Sequence, residues 1–214
     1  MINHKSANFF LTTFLFVLIL VSCSEKHETY WKNGFVKSSL EYKNGKLNGK
    51  SVWFFENGNK EQEANYINNK LDGVMRRWHH NGGLESISHY QMGKRTKTTL
   101  IYDNNGNKIT EENYKNDTLN GIYRQWYPNG SLKIEGNYKS GFFEGRWIYY
   151  DIAGKIVGIG NYTHGSGTQK AWWPNGKLKR EIEYKNNRKN GFEKWFNEQG
   201  NPEKTLYWEN GELK

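Results

Sequence analysis

The sequence predicts an all-β protein, an elongated single-layer antiparallel meander of β-hairpins that repeats about every 24 residues. Three observations predict it. Turn glycines recur at a near-constant spacing, aromatic residues hold fixed places around each glycine, and the residues between alternate apolar and polar. The glycines are Gly34, Gly58, Gly82, Gly106, Gly130, Gly154, Gly176 and Gly200, with one step of 22 among steps of 24. Hydrophobic residues make up 35% of the chain and aromatics 16%, so aliphatic residues are too scarce for a two-layer core.

The N-terminus reads as an address. Lys5 supplies a positive charge, and Phe9 to Val21 is an apolar run broken only by Thr12 and Thr13. That run suits a secretion signal and is short for a membrane span. It ends in Leu20-Val21-Ser22-Cys23, which resembles a bacterial lipobox. The resemblance implies cleavage before Cys23, lipidation of its sulfur, and a membrane partner reached through the lipid anchor. The protein is then expected in the bacterial cell envelope, on the outer membrane or cell surface. A plain secretory signal or an uncleaved anchor is the alternative. Cys23 is the one cysteine, which excludes an internal disulfide and a cysteine metal cluster. Residues 1–22 are thus the signal, 23–29 a polar tether and 30–214 the repeat array.

Within the array, an aromatic stands four residues before each turn glycine: Tyr30, Phe54, Trp78, Tyr102, Trp126, Tyr150, Trp172 and Phe196. Another stands eight residues after: Tyr42, Tyr66, Tyr90, Tyr114, Tyr138, Tyr162, Tyr184 and Trp208. Both sets are expected to stack on one face as a substitute for a core. After Gly130, Leu132, Ile134, Gly136 and Tyr138 point one way, and Lys133, Glu135 and Asn137 the other. Two turns per unit leave strands of five or six residues, hence about 16 strands and a length of roughly 75 Å.

Pro128 and Pro174 refine the turn. In a two-residue loop that position must donate its N–H to the ladder, which proline cannot do. A three-residue loop fits: proline opens a type I turn, Asn follows, and glycine takes the left-handed bulge position. A second glycine set, Gly49, Gly73, Gly121, Gly145, Gly167 and Gly191, with Lys97 in the third unit, is expected to mark the other turn. The step of 22 falls in "THGSG", where it is expected to shorten a loop and spare the strands.

The units, of the type "YPNGSLKIEGNYKSGFFEG", resemble MORN repeats, most closely the bacterial variant labelled as a YwqK-type antitoxin, from Tyr30 through Trp208. The aromatic-glycine arrays of choline- and glucan-binding cell-wall proteins are similar too, but their units are nearer 20 residues and poorer in Asn-Gly followed by Lys-Leu. The resemblance implies a non-enzymatic repeat scaffold binding a protein or envelope component. It leaves an antitoxin or immunity role and a cell-wall carbohydrate-binding role as alternatives.

No catalytic, metal or phosphate motif appears, so neither an enzyme nor a cofactor is expected. His79 and His80 are adjacent and face opposite ways on a strand; His89 stands across the hairpin. Glu63, Glu111, Glu135 and Glu181 form a column five residues after the turn glycine and read as a solvated stripe among lysines. The candidate binding face is a third aromatic set at odd offsets before the glycine: Trp31, Trp53, Phe55, Tyr123, Tyr127, Trp147, Tyr149, Trp173 and Trp195. On a thin sheet these are exposed beside Lys and Arg and fit an unidentified protein or envelope glycan, unless sheet coiling covers them. Net charge is +9, with acids interspersed among the lysines, and no nucleic-acid partner is expected.

Overall fold

The computed structural model describes residues 24–214; Cys23 and the signal read in 1–22 lie outside them. The strands are β1 (Glu25–Tyr30), β2 (Val36–Lys43), β3 (Lys46–Phe54), β4 (Lys60–Ile67), β5 (Lys70–Leu71), β6 (Gly73–Trp78), β7 (Leu84–Gln91), β8 (Lys94–Tyr102) and β9 (Lys108–Lys115). They continue as β10 (Thr118–Trp126), β11 (Leu132–Lys139), β12 (Phe142–Tyr150), β13 (Ile156–Thr163), β14 (Ser166–Trp172), β15 (Leu178–Lys185), β16 (Arg188–Phe196), β17 (Pro202–Glu209) and β18 (Glu212–Leu213). Each pairs antiparallel with its chain neighbour, giving one open meander; β5 and β6 together face β4. Residues 25–29, read as tether, instead form β1, paired from Glu25↔Tyr42 to Tyr30↔Val36. Alternating β-compatible residues there find the open edge of β2.

Two kinds of turn alternate. At the first, Tyr127 N–H donates to the Ser131 carbonyl, and Gly130 N–H to the Tyr127 carbonyl (both 2.9 Å), with Gly130 at φ 82°. This is the three-residue bulged turn read from Pro128. The second turn has two residues, both left-handed: Asn44-Gly45 (φ 52° and 70°), Asn68-Asn69 and Asn116-Asp117 among them. This is type I′, closed by pairs such as Lys43↔Lys46. Its Asn and Asp residues tolerate the left-handed region, so the position needs no glycine.

The second glycine set is therefore not at a turn. It sits four residues past it, in the next strand, except Gly167 of the shortened unit, which sits two past. Pairing of β2 with β3 steps from Leu40↔Ser51 to Tyr42↔Leu47, so three residues around Gly49 (φ 115°) oppose Glu41 alone. The bulge holds the Glu41 carboxylate, which accepts the Lys50 N–H at 3.0 Å. Lys97 keeps the bulge at φ 57°. The shortened unit lacks it: β13 and β14 pair without a shift from Gly158↔Ala171 to Thr163↔Ser166. The two missing residues are the bulge's, so the deletion alters a strand and leaves the loop whole.

The first turn also corrects the face assignment. Its bulge inserts one residue, seen in the step from Gln125↔Ile134 to Trp126↔Leu132. An insertion of one reverses the face of everything beyond it. Aromatics twelve residues apart thus fall on opposite faces. The column after the glycine (Tyr66, Tyr138, Tyr162, Tyr184) shares its face with the odd-offset set, and the column before it faces the other way.

The core lies on that shared face. Trp147 is 3% exposed and Tyr162 4%, with Ala64, Ser51, Thr99 and Ile182 buried in the same central row of the sheet. Small residues make room for rings. A Cβ on Gly136 would lie 2.6 Å from Trp147 Cε3 and closer still to Cδ2 and Cε2. Phe143 on β12 reaches Tyr184 on β15 at 6.4 Å between ring centroids. Three strand spacings on a flat sheet would be about 14 Å, so the sheet curls on itself here and supplies its own cover.

Candidate functional site

The nine odd-offset aromatics do not form one surface. Tyr123, Trp147 and Tyr149 belong to the core. Tyr123 stacks on Trp147 at 5.6 Å, Tyr138, Phe143 and Tyr162 enclose the same indole, and Trp147 Nε1 donates to the Asn137 carbonyl at 3.1 Å. Burial pushes the Tyr149 phenol up to about 12 and raises Tyr138 and Tyr162 as well. Trp53 packs edge-on to Tyr66 at 6.3 Å.

Trp31, Tyr127 and Trp173 are clamps between hairpins. Each opens a three-residue turn and donates to the strand end of the next hairpin: Trp31 Nε1 to Phe54 O, Tyr127 Oη to Tyr150 O, Trp173 Nε1 to Phe196 O (2.9–3.1 Å). His79 Nε2 does the same to Tyr102 O at 3.0 Å. In the intervening hairpins the same place holds Asp103, Asp151 and Asn197, whose Oδ1 accepts two N–H groups of its own turn. Phe55 lies 5.2 Å from the His80 ring in the neighbouring turn. Turn asparagines add a ladder: Asn33, Asn57, Asn81, Asn129 and Asn175 each donate Nδ2 to a carbonyl of the following turn. A ring or hydroxyl donor recurring at every second turn is the sequence signal that would have revealed these clamps.

The other face carries the glutamate column, and it is neutralised by ion pairs. Glu63 meets Lys50 and Lys60, Glu111 meets Lys108 and Arg124, Glu135 meets Arg124, and Glu181 meets Lys170. His89 Nδ1 lies 2.9 Å from the Thr98 carbonyl. Among the described residues no three His, Cys, Asp or Glu side chains are grouped to hold a metal, and no helix is long and apolar enough to cross a membrane.

Two sequence-predicted residues do converge. Trp173 and Trp195 line a cleft of about 480 Å³ with Val157, Ala171, Trp172, Pro174, Lys179 and Arg180. Lys179 Nζ stands 4.2 Å from the centre of the Trp173 ring, and the Arg180 guanidinium 4.3 Å from that of Trp195. Below them Glu193, 2% exposed, accepts Arg180 Nε (2.7 Å), Trp195 Nε1 (2.9 Å) and Lys189 Nζ (2.8 Å). Burial works to raise the Glu193 carboxyl, but the hydrogen bonds and charges of Lys189 and Arg180 outweigh it and hold it below the ordinary range. The network fixes Arg180 and Trp195 in place. Lys179 has no carboxylate partner among the described residues, so the cleft presents the indoles of Trp172, Trp173 and Trp195 and an uncompensated ammonium. It can take a planar or aromatic group with an adjacent anion.

No curated protein matches the sequence. The family model described as the MORN repeat variant matches residues 47–68, 71–92, 95–116, 119–140 and 166–186. Each match runs from just after one type I′ turn to the next, so the family unit and the structural unit coincide. The shortened strand β14 falls within the last match. With about half of its length in these five matches, the chain belongs to the MORN repeat variant family and is a repeat scaffold.

Proposed function

We propose that this scaffold is a non-enzymatic lipoprotein of the bacterial envelope, held by acylated Cys23, that captures a protein partner in the Trp173–Trp195 cleft. One observation carries the reading: two half-buried indoles, each with a cation on its ring, share one open cleft. Tryptophan and arginine in a concave patch supply most of the energy at protein interfaces. The cation next to each ring selects a partner side chain that pairs an apolar body with a carboxylate. The lipobox resemblance at Leu20-Val21-Ser22-Cys23 supports the anchor.

The test is crosslinking in the native envelope followed by capture of the tagged full chain. Ala171→Phe fills the cleft from the position paired with Arg180, removes no donor or acceptor of the Trp173 clamp or the Glu193 network, and loses the crosslinked partner. Recovery of the same partner from Ala171→Phe at wild-type yield refutes the cleft as its site. A partner that arrests growth when expressed alone would make the scaffold an antitoxin. Cys23→Ala moves the protein out of the membrane fraction or leaves its signal uncleaved; a membrane-bound mature chain with unmodified Cys23 refutes the anchor.

A further inference from the structure

The two long edges of the sheet differ in charge. The edge made by the type I′ turns carries Lys43, Lys46, Lys70, Lys94, Lys115, Lys139, Lys185 and Arg188 directly beside the turns, all exposed. None of them forms an ion pair among the described residues, whereas Lys50, Lys60, Lys108, Arg124 and Lys170, beside the glutamate column on the face, do. Acids near this edge are turned onto backbone at neighbouring tips, where Asp72 accepts the Met92 N–H, Asp117 the Arg95 N–H and Glu144 the His164 N–H; the last tip is flanked by the exposed Glu209 and Glu212, which pair with Lys214. The opposite edge is balanced. There Lys32, Lys155 and Lys177 stand beside Glu56, Asp103, Asp151 and Glu198, and the last two lysines bind carbonyls of Pro174 and Gln199.

We infer that the type I′ edge is a linear binding surface for an acidic polysaccharide, a polyuronate in chemical class. This goes beyond the cleft and does not depend on it. Strand spacing sets the hairpins about 10 Å apart and the cationic row roughly 60 Å long, with one gap at the tip between Thr163 and Ser166. Sheet twist of about 20–25° per strand winds that edge through roughly a full turn over its length. A flexible polymer follows such a path; a flat membrane meets only part of it. The carboxamides of Asn68, Asn116 and Asn186 stand exposed between the cations with no hydrogen bond from the described residues, placed for sugar hydroxyls. Single-stranded nucleic acid needs aromatic platforms for its bases. Rings near this edge are already engaged: Phe142 and His164 lie 3.9 Å apart, Tyr138, Tyr162 and Tyr184 pack on Phe143, Tyr162 also on Tyr184, and Arg95 covers Tyr114.

The experiment titrates the full chain with polygalacturonate at two salt concentrations. Its arms are a neutral glucan, single-stranded polythymidylate and vesicles of anionic phospholipid. The expected result is polygalacturonate binding that weakens steeply with salt and exceeds all three comparisons. Lys70→Gln/Lys94→Gln/Lys115→Gln/Lys139→Gln weakens it at least tenfold at low salt and flattens its salt dependence, because fewer counterions are released. Lys32→Gln/Lys155→Gln/Lys177→Gln on the opposite edge leaves it unchanged. The far-ultraviolet circular dichroism of both variants matches wild type, since these side chains are exposed. Equal loss in the two variants, tighter binding of polythymidylate or vesicles, or no polygalacturonate binding overturns the inference.

Discussion

Gly136→Ala isolates how this sheet builds a core. Gly136 has no positive φ, so alanine strains no backbone there. In open space the change would stabilise by about 0.4–1 kcal/mol through the unfolded chain. Here the new methyl meets three atoms of the Trp147 indole. The ring has nowhere to turn: Tyr123, Tyr138, Phe143 and Tyr162 surround it, and its Nε1 is bound to Asn137 O. Overpacking costs about 1–3 kcal/mol. Complete expulsion of a buried tryptophan, at about 3–5 kcal/mol, sets the ceiling. The expected loss is therefore about 2–4 kcal/mol. Trp147→Ala alone costs about 3–5 kcal/mol. The informative measurement is the double mutant. In the Trp147→Ala background, Gly136→Ala is neutral or slightly stabilising, because the methyl now enters the space the indole left. Urea unfolding followed by circular dichroism reads all four corners of the cycle. Equal cost of Gly136→Ala with and without Trp147 would refute the packing argument.

Three further outcomes follow from the same geometry. Gly130→Val costs about 1–3 kcal/mol through left-handed strain. Asn129→Ala loses the Ser131 N–H and Ile152 O bonds in solvent and costs nearer ~0.5–1 kcal/mol; similar unfolding midpoints for the two contradict the bulged turn. Glu193→Gln costs about 2–3 kcal/mol, below the ~3–5 of a fully buried pair because Arg180 and Lys189 are 28% and 27% exposed. As a depressed carboxyl, Glu193 stabilises the fold fully above about pH 4.3 and less as pH falls below it; a Glu193→Gln variant with the wild-type acid dependence removes that assignment. Asn187→Ala costs about 1–3 kcal/mol, since its side chain accepts from Phe143 N–H and donates to Gly141 O, while Asn186→Ala is near neutral; parity of the two in thermal melts contradicts the bridge.

The repeat, its strands and the bulged turn were legible because each is a local rule: Pro128 excludes the shorter loop, and Gly130 must be left-handed. The faces were not legible by parity, since a single inserted residue reverses them and parity counts sequence, not pairs. Trp173 and Trp147 looked alike on that count, yet one clamps a neighbouring hairpin and the other fills the core. The second turn hid because Asn68-Asn69 and Asn116-Asp117 do glycine's work without glycine, while Gly49 and Gly73 advertised a turn and made a bulge. The basic edge was invisible for a different reason. Its lysines are scattered along the chain at repeat distance, so no charge run appears until folding sets the hairpins side by side.

The shortened unit connects these levels. Removing two residues deletes one bulge, and the β13–β14 tip then lies low enough for Asn187 to pass over it. Gly165 carries no side chain to stop it: a Cβ there would come within 2.6 Å of Asn187 Oδ1 and 2.8 Å of Phe142 Cδ1. Asn187 thus joins the turn before that tip to the turn after it, spanning 44 to 46 residues of sequence where neighbouring tips elsewhere are joined over 22. The same contraction accompanies the 6.4 Å approach of Phe143 to Tyr184 and therefore the tightest part of the core. It also interrupts the cationic row, because Thr163 and Ser166 stand where other hairpins place lysine. The edge is divided into a long segment from Lys43 to Lys139 and a short one at Lys185 and Arg188, while the Trp173–Trp195 cleft lies toward the opposite edge, beside the three-residue turn at Pro174. A two-residue deletion inside one strand therefore coincides with the curl of the sheet and with the break in the basic edge.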